Sequence, residues 1–172
     1  LSDLLGWPEG EIDRRAAASV PGAKGLFFAP YLAGGEQGAL WNPDLRGVLH
    51  GLTIQHRAED IARAYVEGVQ FEIRRCIDIL AETQPVTRLI IAGHATEHPT
   101  TLQVLADILG RPVTPYTHVS PAAIGAALIA MPEMTAHRQD SATLTPSATA
   151  NAYDDLYARY CALFPRIAES RS

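Results

Sequence analysis

The stretch RLIIAGHATEHP, residues 88–99, decides the fold of this chain. Residues 88–92 form a short apolar run, which is typical of a strand buried on both faces of a parallel sheet. Gly93 follows as a turn residue, and Pro99 suits the first turn of a helix while biasing His98 away from helical geometry. The stretch therefore predicts a strand, a tight turn and a helix in succession, which is the building unit of an α/β protein.

The residues before this stretch predict one interrupted helical region and two candidate strands. Residues 1–19 look helical, with a break at Gly6-Trp7-Pro8. Residues 25–32 are predicted to be a strand, and residues 47–53 a second strand or a turn, with glycines at both ends of its core. A helix followed by strands at this point agrees with an α/β order.

Residues 58–82 are the clearest helix in the sequence. Apolar side chains recur there at steps of three or four residues, which gives one apolar stripe: Ile61, Tyr65, Val69, Ile73, Ile77 and Leu80. Gly68 interrupts the helix at a cost of about 1 kcal/mol relative to alanine. We therefore expect another element to cross the helix closely at Gly68.

The residues after the opening stretch predict a second helix over 99–109, an extended segment over 112–116 and a helix over 122–131 that begins after Ser120-Pro121. Alternation of helices and strands indicates an α/β fold with a largely parallel sheet. Residues 1–132 are predicted to be one structural unit. Residues 133–150 are predicted to be a polar surface linker, and 151–172 a C-terminal helix that packs on the same unit.

Composition excludes several classes of function. The chain has 172 residues, about one domain, and a net charge of −5 without a Lys/Arg-rich run, which disfavours a nucleic-acid surface. Its apolar runs are far shorter than the ~20 residues that span a bilayer, so no membrane partner is expected. Cys76 and Cys161 are predicted to be buried free thiols, which fits a reduced, cytoplasmic location.

The turn itself contains a motif that needs a separate interpretation. His94, Glu97 and His98 have the H-x-x-E-H order of an inverted zinc-peptidase motif. Such a site requires both histidines on one face of a continuous helix, whereas Pro99 places His98 before a helix begins. We therefore expect no metal here. Two alternatives stay open on the local residues: an anion site at a helix N-terminus, and an ordinary turn with a solvated histidine.

Longer segments resemble a known family. They are GLFFAPYLAGGE (25–36), WNPDLRG (41–47), GLT (51–53), YVEGV (65–69), LADILG (105–110), IGAAL (124–128) and YDDLYARY (153–160). Together they resemble the C-terminal domain of the FGGY carbohydrate kinases, closest to the xylulokinase-like branch. The second signature of that family spans residues 47–67 and fits except at Tyr65, where a smaller or aliphatic residue is usual.

The resemblance implies part of an actin-like, ribonuclease-H-like domain, with a mixed sheet flanked by helices, that closes over ATP and Mg²⁺. It implies that Gly93, His94, Ala95 and His98 contact the nucleotide. His94 stands where a second glycine is usual, Thr101 where xylulokinase-like sequences usually have tryptophan, and Gln37 where an arginine is common. The catalytic aspartate and sugar pocket of the family belong to an N-terminal domain that this sequence does not contain.

The leading hypothesis is therefore the nucleotide-side segment of an ATP-dependent kinase for a pentulose such as xylulose, or for a polyol. The chain begins at Leu1, partway along a helix of the family pattern, and we expect it to be a fragment or a processed chain that is inactive alone. The N-terminal domain is its expected partner, and a homodimer is left open. The alternatives are a non-catalytic binding module derived from a sugar kinase and, third, a zinc hydrolase through His94, Glu97 and His98.

Overall fold

A computed structural model describes residues 1–8, 10–33, 35, 41–116, 120–131, 133 and 141–163 of the chain. The helices in this part are α1 (Ser2–Leu5), α2 (Glu11–Ala17), α3 (Ala58–Thr83), α4 (Pro99–Leu109), α5 (Pro121–Ala130) and α6 (Tyr153–Cys161). The strands are β1 (Phe27–Ala29), β2 (Val48–His50), β3 (Ile90–Ala92) and β4 (Thr114–Tyr116). Short 3₁₀ turns cover Ala23–Gly25, His94–Glu97 and Ala148–Ala152.

Local sequence signals account for the helix boundaries. Helix α4 begins at Pro99 and ends at Leu109 as predicted, and Gly110 closes it in the left-handed conformation with φ 60°. Gly6 is also left-handed and separates α1 from α2 as expected. The side chain of Ser120 accepts a hydrogen bond from the Ala123 N–H at the start of α5, which is the predicted capping contact.

The order of elements predicts a largely parallel sheet and the resemblance a mixed one, and the described strands pair in both directions. Strand β3 is parallel to β4, whereas β1 is antiparallel to β2, and the two pairs form separate sheets. A parallel pair needs a crossover connection, and α4 provides it between β3 and β4. Strands β1 and β2 follow each other in the chain without such a helix in the described residues and pair antiparallel, and β1 packs across α3.

The main hydrophobic core lies where α2, α3, α4 and α6 meet. Phe71 of α3 is at its centre and contacts the rings of Tyr153, Tyr157 and Tyr160 of α6 at centroid distances of 5.0–6.2 Å. Burial of such aromatic side chains supplies much of the stability of a small core. Other buried members of this core are Ala16, Phe27, Ala62, Val66, Val104, Ile108, Leu156 and Leu163.

Gly68 is the point at which β1 crosses α3. A Cβ atom built on Gly68 would lie 1.9 Å from the carbonyl oxygen of Phe28. The close crossing predicted from this glycine is therefore confirmed. It brings the ring of Phe28 edge-on against Tyr65, with ring centroids 5.3 Å apart.

Two acidic residues of the 47–67 signature are buried in α3. Asp60 accepts hydrogen bonds from the Arg57 N–H, the Ser19 hydroxyl and Lys24 Nζ. Glu67 accepts hydrogen bonds from the Gly22 N–H, Arg63 Nε and the Tyr153 hydroxyl. These contacts fasten the 19–24 segment and α6 onto α3, so both carboxyl groups hold the fold together.

The segment 141–149 is attached to the domain by polar contacts. Leu144 forms an antiparallel bridge with Val113, and Asp107 of α4 accepts hydrogen bonds from the Ser147 N–H and the hydroxyls of Ser147 and Thr149. The division of the chain at 132 and 150 remains a prediction. Cys76 and Cys161 form no disulfide within the described residues, and both are half-buried rather than buried as predicted. Gln37 lies outside the described residues.

Several apolar side chains remain exposed in the described part of the chain. Ile90 of β3 is 42% exposed, Leu80 of α3 52% and Ile129 of α5 84%. The prediction that β3 is buried on both faces is wrong for the described residues, because Ile90 and Ala92 are exposed and Ile91 is half-buried. None of the described helices combines the length and apolar character that a bilayer crossing requires.

Candidate functional site

The turn after β3 depends on the conformation of Gly93. Gly93 has φ 87° and ψ −164°, a region of backbone conformation that is open essentially to glycine alone. A Cβ atom built on Gly93 would meet no atom within 4 Å. Glycine is therefore required at this position by backbone conformation and not by crowding within the chain. The space beside the Gly93 backbone is open to a ligand.

The residues after Gly93 do not form the helix that a zinc-peptidase motif needs. His94–Glu97 is a short 3₁₀ turn, and His98 is extended, with φ −114° and ψ 91°, before α4 begins at Pro99. Glu97 Oε2 lies 3.2 Å from His94 Nδ1, and the Nε2 atoms of His94 and His98 are 3.4 Å apart. Within the described ranges, no three His, Cys, Asp or Glu side chains are grouped so as to hold a metal ion.

The N-terminus of α4 is already occupied by a carboxylate. Asp13 of α2 accepts hydrogen bonds from the Thr100 N–H at 3.2 Å and from the Thr101 N–H and hydroxyl, both at 2.8 Å. His98 holds the N-cap position but makes no side-chain capping bond within the described chain. The interpretation of this helix end as an anion site is therefore wrong, because Asp13 takes the donors that an anion would use.

A cavity of about 350 Å³ lies beside the turn. Ser2 of α1, residues of α2, one face of α3, the 93–98 turn and the start of α4 surround it. The lining residues are Ser2, Gly10, Ile12, Asp13, Tyr65, Val66, Val69, Gln70, His94, Ala95, His98 and Thr101. Its volume lies at the small end of the range for ligand sites, and its walls are largely apolar with a few polar groups, as is usual for such sites.

Two polar side chains of the cavity are more than nine-tenths buried and differ in their bonding. Asp13 is 9% exposed, and its oxygens are engaged by α4. Gln70 is 3% exposed and has no hydrogen-bond partner among the described residues. Tyr65 also lines the cavity, and burial raises the pKa of its hydroxyl, so the ring is neutral at ordinary pH.

Three of the four residues predicted to contact a nucleotide line the cavity: His94, Ala95 and His98. Gly93 precedes them at the end of β3. Asp13 and Gln70 were not predicted as site residues. Gln70 carries a signal that could have been noticed, because it is a polar residue four positions after Val66 on an apolar part of α3. Asp13 carries no such local signal, since its partners are 87 and 88 residues away.

Residues 8–134 match the family model for the C-terminal domain of the FGGY family of carbohydrate kinases. The chain belongs to this family. The predicted family membership is confirmed, and with it the actin-like fold, here present as a partial domain of helices and small sheets.

Relatives in the family include kinases for different substrates. The chain is 36% identical to a gluconokinase of Bacillus subtilis over 113 residues, covering 64% of the chain and 22% of that protein. It is 40% identical to a glycerol kinase of Gloeobacter violaceus over 134 residues, covering 76% of the chain and 27% of that protein. The chain thus spans about a quarter of the length of these relatives.

A crystal structure of a xylulose kinase from Brucella ovis has a similar fold. It superposes with a TM-score of 0.83 at 27% sequence identity, over 98% of this chain and 37% of that one. The overall arrangement of helices and strands in this chain therefore follows a known sugar-kinase fold.

Proposed function

We propose that the chain is the nucleotide-side segment of an ATP-dependent carbohydrate kinase and that the cavity beside Gly93 holds the nucleoside end of ATP. The observation that carries this proposal is the combination of Gly93, in a conformation reserved for glycine, with His94, Ala95 and His98 on the wall of one cavity. Open space beside the Gly93 backbone allows a ligand to approach it closely.

The charge of Asp13 supports one orientation of the nucleotide. A carboxylate on the cavity wall repels phosphate groups, and it already satisfies the N–H donors of α4. The uncharged base and ribose suit the apolar walls formed by Ile12, Val66 and Val69. The phosphates would then lie outside the cavity, away from Asp13.

The cavity does not fit a Mg²⁺ site. Mg²⁺ takes oxygen ligands in near-octahedral geometry, usually with carboxylates and substrate phosphates. Asp13 is the one carboxylate among the lining residues that the structure describes, and its oxygens are engaged by Thr100 and Thr101. We therefore assign Mg²⁺ to the phosphates and to groups outside the cavity, and no step of the proposal depends on it.

The sugar substrate is a separate part of the proposal. The relatives act on gluconate, glycerol or xylulose by name, and a pentulose such as xylulose is our choice among these classes. A general base must lie within hydrogen-bond reach of the hydroxyl that it deprotonates. We place that base in an N-terminal domain, and we infer a cytoplasmic enzyme whose C-terminal segment alone does not phosphorylate sugars.

A binding experiment tests the proposed orientation. NMR signals of the His94 and His98 rings should shift on addition of adenosine or ATP, whereas inorganic tripolyphosphate alone should leave them unchanged. His50 lies on β2 and does not line the cavity, so its signal is the internal control. Equal shifts with tripolyphosphate would contradict the orientation, and no shift with ATP would contradict the nucleotide site.

An activity experiment tests the proposed reaction. The kinase that contains this chain should transfer phosphate from ATP to at least one of xylulose, gluconate or glycerol. Binding of ATP without phosphorylation of any sugar or polyol would favour the non-catalytic module instead. Phosphorylation by residues 1–172 alone would contradict our assignment of the general base to an N-terminal domain.

A further inference from the structure

Gln70 is a buried residue that lines the cavity, and its side-chain amide can still accept and donate hydrogen bonds there. It lies on α3 within the apolar wall formed by Val66 and Val69, and it is 3% exposed. No described residue forms a hydrogen bond with its side chain. Although the residue as a whole is buried, its amide atoms remain accessible from the cavity, where a ligand can pair with them.

Asp13, on the same cavity, provides the contrast. Its carboxylate accepts three hydrogen bonds from Thr100 and Thr101 and so has a structural task. Gln70 has no structural task of this kind in the described chain. Its amide also carries one donor group and one acceptor group side by side, and this pair can recognise a matching edge of a planar ring.

We propose that Gln70 determines nucleotide specificity by pairing its amide with the edge of the adenine base that carries the amino group. The amide oxygen would accept from the adenine amino group, and the amide N–H would donate to the adjacent ring nitrogen. Glutamine pairs with adenine in this bidentate way in nucleic-acid recognition. The inference rests on the proposed nucleotide site and adds to it the residue that reads the base.

The cavity around Gln70 agrees with a base rather than with a sugar or a phosphate. Its volume of about 350 Å³ is sufficient for a nucleoside, and Val66, Val69 and Ile12 offer apolar contact for the faces of a ring. The negative Asp13 disfavours phosphate near Gln70. The apolar side chains beside the amide, Val66 and Val69, offer no partners for the hydroxyl groups of a sugar.

The test compares two nucleotides in two proteins. Purine riboside triphosphate differs from ATP only by loss of the amino group, and Gln70→Leu removes the amide at similar size. The wild-type kinase should prefer ATP over the analogue by roughly 5- to 150-fold in Kd, the discrimination expected of a bidentate contact. Gln70→Leu should reduce this preference to about twofold or less. A factor of about two is the usual deviation from additivity when two changes do not interact, so a smaller preference counts as none.

Controls separate this inference from other roles of Gln70. Gln84→Leu makes the same chemical change at an exposed position after α3 and should keep the full preference for ATP. Because Gln70 has no partner in the described chain, Gln70→Leu should leave the Tm unchanged or raise it. A large fall in Tm would show a structural hydrogen bond instead and would overturn the proposal. Gln70→Met provides a second apolar variant if the leucine variant does not fold.

The outcomes also distinguish the two proposals. Equal preference for ATP in the wild type and in Gln70→Leu would overturn the role of Gln70 while leaving the nucleotide site intact. Loss of discrimination between ATP and 2′-deoxy-ATP, with the amino-group preference retained, would place Gln70 at the ribose and also overturn it. Failure of the wild-type kinase to bind any of these nucleotides would overturn both proposals.

Discussion

The backbone of Gly68 in α3 lies directly against the carbonyl oxygen of Phe28 in β1, and a Cβ atom on Gly68 would be 1.9 Å from that oxygen. The neighbour is backbone, so it cannot move aside as a flexible side chain would. This contact sets the distance between α3 and the β1–β2 pair. It also positions Tyr65, which lies one turn earlier on α3, at the cavity.

Gly68→Ala should therefore destabilise the protein. Alanine gains about 1 kcal/mol over glycine from helix propensity, but forced separation of α3 from β1 costs more, and we expect a net loss of roughly 1–3 kcal/mol. Urea unfolding of the purified variant and of the wild type measures this difference in the free energy of unfolding. Gly125→Ala is the matched control, because Gly125 is also within a helix and its Cβ would meet nothing within 4 Å. A stabilised Gly68→Ala variant would contradict the close crossing.

Acid should weaken the attachment of the 19–24 segment through Asp60. Burial opposes ionisation of Asp60, but hydrogen bonds from the Ser19 hydroxyl, the Arg57 N–H and Lys24 outweigh it and lower its pKa below the ordinary value of 3.8. A lowered folded-state pKa means that the unfolded chain binds the proton more readily, so the stabilisation is present above pH ~4 and is lost as pH falls below that value.

Asp60→Asn tests this pH dependence. The variant should lose roughly 1.5–3 kcal/mol at neutral pH, the usual range for hydrogen bonds to a charged group. Its free energy of unfolding should also vary less than that of the wild type between pH 5 and pH 3 (about one unit on either side of the ordinary carboxyl pKa). Asp3→Asn, at an exposed position, should change neither quantity. An unaltered pH profile in Asp60→Asn would exclude this role.

The sequence predicts features whose causes are local. Pro99 and Gly110 bound α4 because proline and glycine act on their own backbone conformation, and Gly68 marks a crossing because only a small residue fits there. The contact of Asp13 with Thr101 could not be predicted, since it joins residues 88 positions apart. Whether a buried polar residue such as Gln70 has a partner likewise depends on tertiary packing.

His94 is predicted to be dispensable for nucleotide binding. Its ring lies at a centroid distance of 4.9 Å from that of His98, and its Nδ1 atom lies 3.2 Å from Glu97 Oε2. His94→Gly should leave the ATP KM unchanged or lower it, because the smaller residue opens the cavity wall. His98→Ala should raise KM by the equivalent of about 0.5–1.5 kcal/mol, one net hydrogen bond. Loss of activity together with release of stoichiometric zinc from His94→Gly would favour the metal interpretation.

Gly93 should be the most sensitive position of the turn. With φ 87° and ψ −164°, any other residue at position 93 is strained by roughly 1–3 kcal/mol, although the space around its Cβ is open within the chain. Gly93→Ala and Gly93→Val carry similar strain but differ in the bulk that they place beside the proposed nucleotide. We therefore expect similar losses of stability in both variants, and a larger increase in the ATP KM for valine, while the KM for the sugar stays nearly unchanged.

Gly110→Val is the control that separates strain from ligand contact. Gly110 also has a positive φ, of 60°, and a Cβ there would meet no atom within 4 Å, but it closes α4 at the end away from the cavity. Its substitution should cost stability without changing the ATP KM. If Gly93→Val and Gly110→Val raised the ATP KM equally, the effect of Gly93 would be general destabilisation. A selective effect of Gly93→Val, greater than that of Gly93→Ala, is expected only if the nucleotide lies against the Gly93 backbone.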